Sequence, residues 1–67
     1  MVNTMLLKNT VRNKGFRLNF LSEKLGISYN AFYQKATNVK SFKPPEVYML
    51  SGLLDLTEEE KNMIFFA

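Results

Sequence analysis

The segment Leu18-Asn19-Phe20-Leu21-Ser22-Glu23-Lys24-Leu25-Gly26-Ile27-Ser28-Tyr29-Asn30-Ala31-Phe32 has the spacing of two helices that meet at a sharp turn. Leu18, Leu21, Ser22 and Leu25 recur at i, i+3, i+4 and i+7, a narrow helical stripe with a small residue, Ser22, where a second helix can cross closely. Gly26 supplies a residue tolerant of positive φ, and Ser28 is a good N-cap. Leu21, Leu25, Ile27 and Phe32 are placed to fill the angle between the two axes. At about 100° per residue, the helix that Ser28 opens and that reaches about Thr37 carries Tyr29, Asn30, Tyr33, Gln34 and Thr37 on one side. Ala31, Phe32 and Lys35 fall on the other. The unit is a helix-turn-helix candidate whose second helix has a polar and aromatic outer face.

Both flanks continue the helical pattern. From Asn3 to Lys14, residues Leu7, Val11 and Lys14 share a face with Leu6 beside it, and Gly15 is placed to stop the helix. Asn38 to Lys43 has no period and reads as a loop, after which Pro44-Pro45 opens a fourth helix, since proline is tolerated in a first turn. Val47, Leu50, Ser51 and Leu54 form its buried stripe. Gly52, which costs about 1 kcal/mol there relative to alanine, marks a candidate for close helix contact. Asp55-Leu56-Thr57 breaks the chain again, and Thr57-Glu58-Glu59-Glu60 is a capping box opening a fifth helix that ends in Ile64-Phe65-Phe66. Strand alternation and internal repeats are absent. The expectation is an all-α, five-helix domain over residues 1–67, with the helix-turn-helix formed by the second and third helices.

Composition narrows the function. Sixty-seven residues, 46% apolar and 22% charged, make one small domain with no room for a deep substrate cavity. Without cysteine or histidine there is no disulfide, no Cys/His zinc site, no thiol nucleophile and no histidine-based triad. Glu58, Glu59 and Glu60 are consecutive at a helix start and point in different directions, unlike an opposed catalytic pair. Three widely separated glycines make no phosphate-cradling loop. Neither enzymatic activity, nor a metal, nor a cofactor is therefore expected. No stretch approaches the roughly 20 apolar residues of a membrane span, and Met5-Leu6-Leu7 before Lys8 is too short for a signal-peptide core. The expected location is the cytoplasm.

The net charge of +3 hides a sharper division. Residues 1 to 43 hold eight lysines and arginines against Glu23 alone, a balance of +7, whereas residues 44 to 67 hold Lys61 against five carboxylates, a balance of −4. With a pI of 9.4, this asymmetry points to a partner with a negative backbone meeting the N-terminal two-thirds.

Taken together, the chain resembles the five-helix lambda-repressor-like family of helix-turn-helix DNA-binding domains, which includes the small Cro-like regulators of phages and prophages. The resemblance runs from about Leu7 to Phe66. Its most specific parts are Leu21-Ser22-x-x-Leu25-Gly26-Ile27-Ser28 and Leu54-Asp55-Leu56-Thr57-x-x-Glu60-x-x-x-Ile64-Phe65-Phe66. It implies a recognition helix from Ser28 to about Thr37 with base contacts from Tyr29, Asn30, Tyr33 and Gln34. Of these, the amides of Asn30 and Gln34 suit adenine edges, because they donate and accept together in the major groove. It also implies phosphate contacts from Asn38, Lys40, Ser41 and Lys43 after that helix; Ser28 at its start, and Lys14 and Arg17 flanking the start of the second helix, are expected to add contacts of the same kind. Lys8, Arg12 and Lys24 read as plain surface charges.

Two positions depart from the family pattern. Members commonly carry Ser or Thr followed by Gln where this chain has Arg17 and Leu18, so Asn19 is the expected substitute at the start of that helix. Lys35 stands where an apolar residue is common, its stem expected to cover the core while its ammonium reaches solvent or a phosphate. The chain is also rich in large apolar residues for one small core. Phe65 is expected to pack inward, leaving Phe20, Met63 and Phe66 for a self-complementary surface. The resulting expectation is a transcriptional regulator that binds double-stranded operator DNA as a homodimer. The rival is an interaction protein, a modulator or antitoxin-like partner of another protein such as a repressor, with DNA contact secondary.

Overall fold

A computed structural model describes all residues, Met1 to Ala67, and places 44 of them in five α-helices with no strand: α1 (Thr4–Asn13), α2 (Leu18–Leu25), α3 (Tyr29–Ala36), α4 (Pro44–Leu53) and α5 (Glu58–Phe65). None is long and apolar enough to cross a membrane.

Side chains fix most of the helix starts. The Asn3 amide oxygen accepts from the Leu6 N–H at 3.1 Å, and Ser28 Oγ accepts from the Ala31 N–H at 3.0 Å. At α5 the capping box closes in both directions: Thr57 Oγ1 accepts from the Glu60 N–H at 3.1 Å, and the Glu60 carboxylate accepts from the Thr57 N–H at 2.9 Å. Before α4, Glu46 accepts from the Lys43 N–H at 2.8 Å, the backward half of such a box. The start of α2 differs from expectation. Arg17 occupies the cap position without any side-chain hydrogen bond, and Asn19 lies inside the first turn, where only its carbonyl is engaged, accepting from Ser22 Oγ at 2.8 Å.

The first four helices end in one way. After each, a residue with positive φ (Gly15, Gly26, Asn38, Asp55) turns the chain, and the next N–H reaches back five residues. These bonds run from Phe16 to the Val11 carbonyl, Ile27 to Ser22, Val39 to Gln34 and Leu56 to Ser51, at 2.8 to 3.1 Å. At Phe16, Ile27 and Leu56 the apolar side chain that follows the turn packs back on the core.

The core draws on every helix: Leu7 and Val11 from α1, Leu21 from α2, Phe32 and Ala36 from α3, Leu50 from α4 with Leu54 just beyond it, and Ile64 and Phe65 from α5. Phe42, in the α3–α4 loop, sets its ring edge-on to both Phe32 and Phe65, with centroids 5.6 Å away in each case. Ser22 is buried on the face of α2 that meets α3 and α4, as a small crossing residue should be.

Gly52 departs from expectation. It is exposed, and a Cβ added there would meet nothing within 4 Å, so no helix approaches it. Its φ lies outside the positive range, so Gly52→Ala is expected to raise unfolding stability by about 0.4–1 kcal/mol in a denaturant titration, chiefly by restricting the unfolded chain.

The chain ends meet. The Asn3 N–H donates to the Ile64 carbonyl at 2.7 Å and the Ala67 N–H to the Met1 carbonyl at 3.1 Å, so α1 and α5 run antiparallel from that junction. The Asn38 side chain joins it, accepting from the Val2 N–H at 2.8 Å and donating to the Val2 carbonyl at 2.9 Å.

Candidate nucleic-acid interface

Because Phe32 and Ala36 anchor α3 in the core, its opposite face is turned outward. Tyr29 and Tyr33 are 46% and 41% exposed, Asn30 is exposed, and Gln34 is half-buried. The face carries two tyrosine rings, two side-chain amides and no carboxylate. Tyr29 and Tyr33 stack on each other with centroids 6.3 Å apart, and Lys8 of α1 holds its ammonium 5.3 Å from the Tyr33 centroid. Lys8 is therefore more than a free surface charge. Only the positions of α1 and α3 in space reveal it, since 25 residues separate the two in sequence.

Lys35 is a correction. Its stem lies against the domain as expected, but its ammonium is engaged within the domain rather than held out to solvent or a phosphate: both carboxylate oxygens of Glu46 accept from it at 2.7 Å. The two side chains are only 11% and 12% exposed. Burial would raise the Glu46 pKa; the hydrogen bonds from Lys35 and from the Lys43 N–H, with the charges of both lysines, outweigh it and hold the carboxyl below its ordinary value. The pair fixes α3 to α4 and withdraws one cation from the outer surface.

Around α3 lie the other polar residues expected at an interface. Lys40, Ser41 and Lys43 are exposed in the α3–α4 loop, and Arg17 is exposed at the start of α2. Ser28 uses an oxygen lone pair for its cap and keeps its hydroxyl proton. Asn38 does not belong with them, because its amide is taken up by Val2; it braces the loop instead. Lys14 is exposed at the end of α1, yet its charge is felt at Glu60, so it faces the acidic start of α5.

The apolar surface residues do not form one patch. Phe66, 64% exposed, borders a shallow hollow with Phe42, Pro44, Val47, Tyr48 and Lys61, and Met63 is exposed one turn before it on α5. Phe20 is elsewhere, stacked on Phe16 at 5.7 Å beneath the Lys24 ammonium and bordering a hollow with Gly15, Arg17, Asn19 and Glu23. Tyr48, 82% exposed, belongs to the Phe66 hollow. Its surface position was missed by the stripe of α4, which assigns only the inward residues.

What α3 and its surroundings offer is a surface of cations, side-chain amides and aromatic rings, whose N–H donors can serve anionic acceptors. No family model matches the chain, and no curated protein or solved structure is significantly similar to it.

Proposed function

We propose that the protein is a sequence-specific DNA-binding transcriptional regulator of the Cro-like helix-turn-helix kind, acting in the cytoplasm without cofactor or catalysis. The observation that carries the reading is the outer face of α3, which presents Asn30, Gln34 and the Tyr29–Tyr33 stack with no acidic side chain among them. In this reading α3 enters the major groove, Asn30 and Gln34 read base edges with Tyr29 and Tyr33 contacting bases beside them, and Lys40, Ser41 and Lys43 with Arg17 and Ser28 hold phosphates. One short helix makes few base contacts, so operator binding calls for a homodimer on two half-sites about 34 Å apart. The face around Phe66 and Met63 is the surface proposed for that pairing.

Selection of bound duplexes from a random pool tests this directly, the expected outcome being a two-fold symmetric motif. On the selected duplex, Lys40→Ala and Lys43→Ala should each weaken binding to every sequence by a similar factor and lower the slope of log affinity against log salt by about one. Unchanged slopes in titrations at several salt concentrations would remove these lysines from the interface. Gln34→Ala should instead relax the preference at one base pair of each half-site, costing about 1–3 kcal/mol on the preferred sequence and little on random DNA.

The exposed Phe66–Tyr48 hollow favours a second reading, an interaction protein that docks another protein such as a repressor. A featureless selected pool and binding insensitive to salt would support that reading over the first.

A further inference from the structure

We infer that α1 is part of the interface through Lys8, which acts both as a positioning residue for Tyr33 and as a phosphate contact; the inference rests on the DNA reading of α3. The Tyr33 ring is held by two different neighbours, the Tyr29 ring at 6.3 Å and the Lys8 ammonium at 5.3 Å. A ring attracted to a stacked neighbour and to a cation has few rotamers left, so its exposed edge is presented in one orientation. The cation is itself unneutralised: the domain's ion pairs are Lys35–Glu46 and Lys61–Glu58, and neither involves Lys8. A ring face satisfies an ammonium only in part, and its N–H donors stay available to oxygen acceptors.

Geometry supplies the acceptor. An α-helix with its side chains is about 10–12 Å across and the major groove about 12 Å wide, so a helix seated there fills it wall to wall. Whatever lies along the flank of α3 then meets a phosphate strand. Lys8 lies on that flank, one turn along α1 from Thr4, whose hydroxyl donates to the Ala36 carbonyl at the end of α3. The α1 helix is thereby tied beside α3, and Lys8 is carried by a rigid element rather than a loop.

The test compares wild type, Lys8→Met, Lys8→Arg and Lys40→Ala on a labelled duplex of mixed sequence and on the duplex selected from the random pool, at several salt concentrations, with thermal melts of each variant. Methionine keeps most of the aliphatic stem without the charge. The expected result is a salt slope lower by about one for Lys8→Met on both duplexes, as for Lys40→Ala, with wild-type slope restored in Lys8→Arg. Lys8→Met should also lose discrimination between the two duplexes, which Lys40→Ala should retain, because only Lys8 orients a reading side chain. A Lys8→Met slope equal to wild type, with only the melting midpoint lowered, overturns the inference and leaves the DNA reading standing. Salt-independent or absent binding by wild type itself overturns both.

Discussion

Phe32→Ala should leave the chain largely unfolded at room temperature. Phe32 is fully buried, and its ring meets Phe42 edge-on, which in turn meets Phe65, so one side chain joins α3, the α3–α4 loop and α5. Truncating a buried phenylalanine costs about 3–5 kcal/mol, part lost transfer energy and part the cavity left behind. In a domain of fewer than about 70 residues a single core rarely supplies more than about 3–5 kcal/mol of net stability, so the loss consumes most of it. Far-UV circular dichroism of Phe32→Ala should therefore show little helix at 25 °C, whereas Phe32→Leu, which keeps most of the volume, should fold with a lowered midpoint. A cooperative melt of Phe32→Ala near the wild-type temperature would show that Phe42 and Phe65 close the cavity between them.

The second large effect is expected at Glu46. Removing the carboxylate strands the Lys35 ammonium at a part-buried site where its side chain is 11% exposed, and breaking a fully buried pair from one side costs about 3–5 kcal/mol, a ceiling for this one. We expect Glu46→Ala to fall toward the lower end, because the lysine stem can redirect its charge to water. The double variant Lys35→Met/Glu46→Leu should recover most of the loss, since well-packed apolar replacements of a buried pair are often neutral. The pair also sets an acid limit. Glu46 has a folded pKa below its ordinary value of 4.5, so its stabilising contribution is complete above the unfolded pKa and disappears as pH falls through the folded one. Wild-type melting temperatures should drop as the pH is lowered below about 4.5, and Glu46→Gln should flatten that dependence. Glu60, held low chiefly by the Thr57 N–H, adds a contribution of the same sign, so the variant profile should be shallower rather than level.

What could be read in the sequence was whatever is encoded locally. Ser28 and Thr57 announce helix starts because a short side-chain oxygen reaches an N–H two or three residues on, and Gly15 and Gly26 announce ends because they tolerate the turn that follows. The same signal was present at Asn38-Val39, asparagine being the side chain next most tolerant of positive φ, but its loop surroundings masked it as a helix end. The pairing of Lys35 with Glu46 was not legible, because it depends on how α3 and α4 cross rather than on any spacing along one helix. Lys8 over Tyr33 was hidden for the same reason. The outer face of α3 followed from its period alone, so the exposed positions of Tyr29, Asn30 and Tyr33 needed no tertiary information.

The hydrogen bonds that join Asn3 to Ile64 and Met1 to Ala67 have a consequence for synthesis. Of the five helices, the first to be made packs on the last, and the fully buried Phe32 meets Phe42, which in turn meets Phe65 of that last helix. Before α5 is made, Ile64 and Phe65 are missing from the core, and the closure of α1 on α5 spans almost the entire chain, a contact that no shorter piece can make. Until α5 has left the exit tunnel, the nascent helix-turn-helix therefore lacks the Phe65 ring that backs Phe42 and, through it, Phe32 of α3, so the surface we assign to DNA gains its full support only after translation of the domain.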